Sequence, residues 1–439
     1  MENTDRRPVR GQANRRGSGT GFGSSSISRL LLFFLSVIIG LVVVGAGGEQ
    51  TAQAESTEQQ QAVIAVVVPL SGSLAALGEQ LVESATFAGE ATGVPVEAVD
   101  AGDSVAETHR RIEELAGRPD VGAIIGPVRR NRARSVARLA DEHQIPIVAF
   151  SPVTGVEHTG DWIVRVRPGP EEQARSLVRY LVDELGMEHF GIVGPRNDYA
   201  DALIRSIVES INDRGSRVEA LARYDEETTD FTRPLEVLTG RRVYVGDRSS
   251  VGGQRVGPHQ TVTVDGAVER DFEVLIIADH HDTVARLLPF LPRAGMATGA
   301  VDEGRSVLVA GPSSWRGDGL QRAGKHGEGN IFVDTFGGRA DGGEAVDFVR
   351  RFEARTDRRP TTVEAEMYDV FAMLATAFEP GRAVDEVRLA VRNWSKPDQT
   401  HEGVTGTWRF DRSGAPVRQM VPYQVGDGGG WVRVRGGDR

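Results

Sequence analysis

The chain has 439 residues, a formal net charge of −11 and no cysteine. The lack of cysteine excludes thiol catalysis, disulfides, cysteine zinc sites and lipid attachment through cysteine, and the acidic balance argues against nonspecific binding to nucleic acid. A hydrophobic content of 39% and a charged content of 26% are typical of soluble globular domains, of which this length allows two or three.

The N-terminal region is typical of an export signal. Residues 1–29 contain six arginines, residues 30–48 form an uncharged apolar run, and the small residues at 44–46 and 52–54 each fit a cleavage site. The apolar run is also nearly long enough to cross a bilayer. A cleaved signal and an uncleaved anchor in the inner membrane both remain open, and either one places the rest of the chain in the periplasm or otherwise outside the cytoplasm.

From residue 62 onward, buried strands alternate with amphipathic helices. The apolar runs at 62–70, 121–127 and 145–150 have the length of strands that are buried on both faces. Between them lie helical patterns, of which the first places Leu77 and Leu81 on one face. Strands and helices that alternate at this spacing predict a parallel sheet with helices on both faces.

The same alternation then repeats. Residues 170–186 predict a helix that opens with a proline and closes with a glycine, and strands follow at 189–195 and 271–279. The sequence therefore predicts two similar α/β units, at roughly 62–165 and 170–297.

One segment interrupts the second unit, and a mixed segment follows it. Residues 240–270 are rich in Gly, Arg and β-branched residues and predict an inserted β-ribbon or loop. Strands are predicted at 306–312 and 330–336, helices between 343 and 394, and β segments at 403–414 and 419–434.

Several phrases, taken in this order, resemble the type I periplasmic solute-binding proteins of the leucine-binding branch. They are "IAVVVPLSGS" at 64–73, "IGP" at 125–127, "NDYADAL" at 197–203, "DFTRPLEVL" at 230–238 and "GVTGTWRFDRSGAP" at 403–416. The resemblance implies two doubly wound parallel-sheet lobes joined by a multi-strand hinge. It also implies an exported receptor that closes on an amino acid or a similar small polar solute, without being an enzyme, and that serves an ABC-type importer with a membrane permease as partner.

A narrower resemblance leads to an alternative function. The inserted segment and the later helix with Pro289 and Leu291 are similar to those of penicillin-binding protein activators, which regulate peptidoglycan synthases. That resemblance implies a protein–protein partner, a cell-wall synthase, in place of a small ligand. The chain lacks the lipoprotein cysteine of those proteins, which puts outer-membrane anchoring in doubt.

The resemblance also implies a division of the chain into lobes. We expect a signal or anchor with a polar tail at 1–54, a linker at 55–61, a first lobe at 62–168 and 300–400, and a second lobe at 169–299 and 401–435 that carries the insertion.

In a fold of this kind the ligand binds at the carboxyl ends of the strands, between the lobes. Hydroxyl groups and helix N–H groups there suit a carboxylate, an aromatic residue of the second lobe can cover the ligand, and acidic residues can pair with an ammonium group. The candidate ligand residues are Ser71, Ser73, Arg130, Asn131, Ser151, Thr154, Tyr199, Asp279 and Asp282.

The loop at 129–131 departs from the leucine-type pattern. Relatives carry small hydroxyl residues where this chain has Arg129, Arg130 and Asn131. Either the cleft takes a more acidic ligand or no small ligand at all, or these arginines point to solvent and Asn131 caps the next helix. The adjacent histidines at 280–281 point apart in an extended segment, so no metal or other cofactor is expected, and no catalytic motif is present.

Overall fold

The computed structural model describes residues 61–434, except 153, 157, 241, 246–248, 252–253, 257–259, 264–270, 299–304, 339–341, 398, 413 and 428–429. The chain separates into two compact units, residues 1–57 and 58–439. The predicted export signal and nearly all of the linker lie outside the described residues. Within them, no helix combines the length and the apolar character that a membrane crossing needs.

Strands and α-helices are numbered here in chain order. The strands are β1 (Val63–Val68), β2 (Val96–Asp100), β3 (Val121–Ile125), β4 (Ile147–Ala149), β5 (Ile163–Arg165), β6 (His189–Pro195), β7 (Arg217–Tyr224), β8 (Arg242–Val245), β9 (Ser249–Val251), β10 (Gln254–Val256), β11 (Gln260–Thr263), β12 (Val274–Ile277), β13 (Met296–Ala297), β14 (Arg305–Ser306), β15 (Leu308–Gly311), β16 (Ile331–Asp334), β17 (Thr400–His401), β18 (Trp408–Phe410), β19 (Pro416–Arg418), β20 (Val421–Val425) and β21 (Trp431–Arg433). The helices are α1 (Ala75–Thr92), α2 (Val105–Ala116), α3 (Arg130–Ser135), α4 (Ala137–His143), α5 (Pro170–Val178, extended by π-helical turns at Arg179–Glu184), α6 (Asp198–Asn212), α7 (Thr232–Leu238), α8 (His281–Leu287), α9 (Asp318–Arg322), α10 (Gly343–Thr356), α11 (Thr362–Ala375) and α12 (Val384–Trp394).

The first lobe is built on a parallel sheet with the strand order β2-β1-β3-β4-β5. Strand β1 is apolar on both faces because both faces are covered. Ile64, Val66 and Val68 face a core that includes α1, α11 and α12, while Ala65 and Val67 face the helices α2 to α4. This matches the continuous apolar run expected of a parallel strand in the centre of a sheet.

The second lobe is built on a sheet with the order β21-β20-β16-β15-β12-β6-β7, in which β20 runs antiparallel to both of its neighbours and the other pairs are parallel. Helices α5 and α6 cover one face, and α7, α8 and α9 cover the other. The predicted inserted ribbon is present as two antiparallel pairs, β8 with β11 and β9 with β10.

In the described residues the chain crosses between the two sheets three times, after β5, after β16 and after β19. The lobe boundaries in the structure differ from those expected from the sequence at two places. Strands β15 and β16, inside 300–400, belong to the second sheet because β15 pairs with β12. Strands β18 and β19, inside 401–435, belong with the first lobe because Trp408 and Phe410 lie in its core.

Helices α11 and α12 are part of the first-lobe core. A matched pair of substitutions tests this assignment. Leu374 in α11 is 1% exposed, whereas Leu389 in α12 is 49% exposed. Leu374→Ala is expected to lower the free energy of unfolding by about 2–5 kcal/mol through lost burial and a cavity. Leu389→Ala is expected to change it by about 0.5 kcal/mol or less. Urea denaturation of both variants measures the difference, and equal effects would contradict the assignment of α11 to this core.

Two histidines should give opposite pH dependences of stability. Burial lowers the pKa of His401, which packs on Trp394. The stability that neutral His401 contributes is therefore lost as the pH falls through about 6.5, the pKa of histidine in the unfolded chain. A hydrogen bond to Glu219 raises the pKa of His189. The stability that protonated His189 contributes is therefore present below about pH 6.5 and is lost as the pH rises through the pKa of the folded state. In thermal melts between pH 5 and 8, His401→Gln is expected to weaken the loss of stability toward pH 5, and His189→Gln to increase it. Identical pH profiles for both variants would contradict this sign difference.

Candidate functional site

Buried polar contacts join the lobes where the chain crosses from one lobe to the other. Arg167 follows β5, its guanidinium lies 5.4 Å from the centroid of the Phe150 ring, and its Nε donates to Glu366 Oε2 at 2.7 Å. Glu366 is a buried residue of α11 and also accepts a hydrogen bond of 2.9 Å from the hydroxyl of Thr335, which follows β16. One carboxylate of the first lobe thus holds both an arginine of one crossing and a hydroxyl of another.

A second buried carboxylate joins the lobes beside it. Asp334, at the end of β16, accepts hydrogen bonds from the Thr362 hydroxyl of α11 at 2.6 Å and from Arg316 Nε. Burial raises the pKa of Asp334, although Arg316 acts to lower it. A carboxylate kept in a buried position by donors from both lobes fixes the position of this crossing.

The third crossing has a similar arrangement. Asp369 of α11 accepts hydrogen bonds from the backbone N–H groups of Val404 and Thr405, at 2.7 and 2.9 Å, and from the Thr405 hydroxyl. Arg418 Nη1 donates to the same hydroxyl oxygen at 2.7 Å. Burial raises the pKa of Asp369. The buried acids of α11 and β16 therefore each stabilise one strand of the hinge.

A hydrogen-bonded cluster of the second lobe centres on Tyr199 and Gln173. The Tyr199 hydroxyl donates to Gln173 Oε1 at 3.3 Å, and Ser313 donates to the same oxygen from its N–H at 3.2 Å and its hydroxyl at 3.0 Å. The Tyr199 ring stacks on His280 with 6.0 Å between centroids. Burial raises the pKa of Tyr199, so its hydroxyl stays protonated and serves as a donor. Asn197 sets this geometry by capping α6 through a 2.8 Å bond from Ala200 N.

The hydroxyl residues predicted in the first lobe do not share one environment. Ser151 follows Phe150, is 1% exposed, and its Oγ has no hydrogen-bond partner among the described residues. Ser71 donates to Asp100 at 3.1 Å, in the turn after β1, and Ser73 is exposed in a short 3₁₀ turn. Ser151 is therefore the first-lobe hydroxyl with unused hydrogen-bonding capacity.

Two further predicted positions differ from expectation. The N-cap position of α3 is Arg129, so Asn131 does not cap the helix and is exposed one residue inside it. Arg129 is extended and the helical geometry starts at Arg130, one residue earlier than a cap at Asn131 would allow. Arg130 is the first residue of α3, and its side chain lies outside what the structure describes. Thr154 contributes to the hinge side of the molecule, where it lines a cavity away from Tyr199.

The two acidic residues predicted to pair with an ammonium group have other partners. Asp279 is buried, and its carboxylate accepts hydrogen bonds from the Tyr224 hydroxyl and from His280 N, both at 2.7 Å. Asp282 lies in the exposed first turn of α8 and pairs with Arg322. The sequence prediction did not include these pairings, because Tyr224 and Arg322 come from elements distant in sequence. We therefore do not assign either aspartate to a ligand.

Sequence analysis also missed Arg167, Gln173 and Ser313. A signal for Arg167 was present, since "IVRVRP" places arginines at alternate positions in an otherwise apolar run before a proline. Gln173 lies inside an ordinary helical pattern and Ser313 follows a short strand. Neither has a sequence feature that separates it from a structural residue.

The comparisons with known proteins agree with this architecture. Residues 61–242 match the model of a family described as periplasmic binding protein. A search of curated proteins found no match.

Solved structures match across most of the chain. A protein from Rhodospirillum rubrum described as a branched-chain amino acid ABC transporter is 17% identical, with a TM-score of 0.67, over 85% of this chain and 100% of its own. The branched-chain amino acid transporter substrate-binding protein from Streptococcus pneumoniae, in complex with isoleucine, is 19% identical, with a TM-score of 0.60 and coverages of 85% and 100%. A solute-binding protein of an ABC transporter from R. palustris, in complex with benzoate, is 14% identical, with a TM-score of 0.61 and coverages of 85% and 95%.

These matches confirm the resemblance to periplasmic binding proteins and the two-lobed α/β fold. The proteins matched are solute-binding proteins and not enzymes, in agreement with the sequence analysis. The narrower resemblance to penicillin-binding protein activators receives no support from them and stays a prediction.

The hinge network gives a prediction that does not depend on a ligand. Glu366→Ala removes the carboxylate partner of Arg167 and the acceptor of Thr335, and is expected to lower the free energy of unfolding by about 3–5 kcal/mol. Glu344→Ala, at an exposed position of α10, should change it by about 0.5 kcal/mol or less. Chemical denaturation provides the measurement. A loss in Glu366→Ala no larger than in Glu344→Ala would show that the network does not hold the hinge.

Proposed function

We propose that this chain, which has the fold of the type I periplasmic binding proteins, is an exported receptor for a small organic acid. Its two lobes close on a solute that carries a carboxylate, such as an amino acid or an aromatic acid, and present it to the permease of an ABC-type importer. The observation on which this rests is Arg167 at the floor between the lobes.

Arg167 is suited to hold a carboxylate. Its Nε is bonded to Glu366, while its terminal nitrogens have no hydrogen-bond partner among the described residues, and its side chain is 23% exposed. An arginine fork binds a carboxylate through two parallel hydrogen bonds, which fixes both position and orientation. Ser151 lies beside the neighbouring Phe150 and adds a buried hydroxyl without a partner. Together these groups supply donors for an anionic end of the solute.

The second lobe offers an aromatic contact. Tyr199 and His280 stack on each other, and Tyr199 is held in place by Gln173. A planar or branched apolar group between this pair and Phe150 would lose water contact on closure, which favours binding. Isoleucine and benzoate, found in two of the similar structures, both combine a carboxylate with such a group.

Among the described residues, the proposed cleft has fewer free acceptors for an ammonium group than donors for a carboxylate. Asp279 is already bonded to Tyr224, and Asp282 to Arg322. Because a buried ammonium needs acceptors to offset its desolvation, this cleft should favour acids without an amino group over amino acids of the same size.

Solute binding outside the cytoplasm also agrees with the N-terminal sequence. The arginine-rich start and the apolar run at 30–48 direct the chain to export under this proposal, either as a free periplasmic protein or one held by an N-terminal anchor.

The test is a calorimetric titration of the purified chain with amino acids and aromatic carboxylates. At least one carboxylate is expected to bind, and Arg167→Gln is expected to weaken it by about tenfold or more because a charged hydrogen bond contributes roughly 1.5–3 kcal/mol. Arg138→Gln provides the matched control, since Arg138 is 85% exposed on α4.

Two outcomes would count against the proposal. If no carboxylate binds, the receptor function fails, and the alternative of an envelope protein that binds a peptidoglycan synthase through the inserted ribbon becomes the better hypothesis. If a carboxylate binds equally to the wild type and to Arg167→Gln, the cleft assignment fails even though a receptor function remains.

A further inference from the structure

A second concave site lies on the hinge itself. A cavity of about 760 Å³ is bounded by three parts of the chain: the loop after β4 with Thr154 and His158, the outer face of α5 with Arg175 and Arg179, and the hairpin of β18 and β19. Its volume falls within the range of cavities that bind small ligands. It is separate from the pair formed by Tyr199 and His280, neither of which lines it.

The walls of this cavity are basic in an acidic protein. Five arginines line it against three carboxylates, whereas the whole chain carries a net charge of −11. Glu172 and Arg165 occupy each other, because Glu172 accepts a hydrogen bond from Arg165 at 2.9 Å as well as one from Gly169 N at 2.7 Å, which leaves four arginines against two carboxylates. The five arginines are Arg165, Arg175, Arg179, Arg409 and Arg418.

Arg418 gives an independent indication of an anion. It is 6% exposed, its Nε donates to Val166 O at 3.0 Å, and its guanidinium lies 3.9 Å from the centroid of the Trp408 ring. Its Nη2 has no hydrogen-bond partner among the described residues. The guanidinium has no ion pair among the described residues, and a buried charge without one is costly. Nη2 itself is closed off from solvent, so an anion in the cavity that Arg418 lines would offset this cost through its charge and not by a bond to Nη2.

The cavity has walls from both lobes. Helix α5 belongs to the second lobe, through its packing with α6, whereas Trp408 of β18 lies in the first-lobe core. An anion held between Arg175 and Arg179 on one side and Arg409 and Arg418 on the other would therefore contact both lobes at once. A ligand with such contacts stabilises the arrangement of the lobes in which those contacts exist.

We propose that the hinge cavity is an effector site for a multivalent oxyanion, such as phosphate or a polycarboxylate. The anion binds apart from the transported solute and favours the lobe arrangement seen in this structure. Guanidinium groups recognise both phosphate and carboxylate oxygens through their forked N–H donors, so the two sources share one chemistry. The site does not depend on the proposed receptor function, because its residues do not include Arg167, Ser151 or Tyr199.

The test is a titration of the full chain with inorganic phosphate and, separately, with citrate, at low ionic strength so that charge interactions are not screened. One of the two is expected to bind and to raise the melting temperature. The double variant Arg175→Gln/Arg179→Gln is expected to weaken this binding by about tenfold or more. Both arginines are exposed, so the variant should fold, whereas loss of the buried Arg418 would endanger the hinge.

Two controls separate this site from the cleft and from general surface charge. Arg138→Gln should bind the anion as the wild type does, and Arg167→Gln should also keep it, even where carboxylate binding in the cleft is lost. Tighter binding of phosphate or of citrate identifies which anion the site prefers, and either result supports the site. The proposal would be overturned if neither anion binds to the wild type. It would also be overturned if the double variant Arg175→Gln/Arg179→Gln binds as tightly as the wild type, or if Arg167→Gln alone loses binding.

Discussion

The arrangement of the two lobes depends on buried carboxylates that are shared between the crossings of the chain. Glu366 joins Arg167 to Thr335, Asp334 joins Thr362 to Arg316, and Asp369 joins the turn at 404–405 to its helix. A buried charge is tolerated only when donors surround it. Glu366 and Asp334 therefore require their crossings to stay in place, since a displaced strand would leave the charge without hydrogen bonds, whereas Asp369 fixes the turn at 404–405 inside the first lobe.

The same network fixes the side chain on which the proposed receptor function rests. Arg167 is held by a hydrogen bond to Glu366 and by its contact with the Phe150 ring. In the proposed receptor, a ligand would bind to a group whose position is already fixed, so less free energy would be lost in ordering the side chain. The loops of the first lobe contribute less to this network, because Ser71 is bonded to Asp100 and Asn131 is exposed.

The sequence predicted the elements of the fold well and their grouping less well. Buried strands such as β1 and β3 are recognisable because a strand covered on both faces must be apolar throughout, and the helices between them follow from their periodicity. The membership of β15 and β18 was not predictable, because the apolar pattern of a strand does not record which sheet it joins. The same limit applies to the site. Tyr199 was predicted from its motif and stays a prediction, whereas the pairing of Asp279 with Tyr224 joins residues 55 positions apart, and only the tertiary fold brings them together.

The division of the first lobe between two distant parts of the chain has a consequence for its synthesis. One face of β1 is covered by Met367, Phe371 and Leu374 of α11 and by Trp408 of β18, some three hundred residues later in the sequence. Until those residues emerge, the N-terminal half has an open apolar surface, while the whole second sheet apart from its last two strands is made in between. The first lobe therefore cannot be completed until most of the second has been made, and a chain that is moved across a membrane in the unfolded state gains from this order, because its leading half cannot finish folding too early.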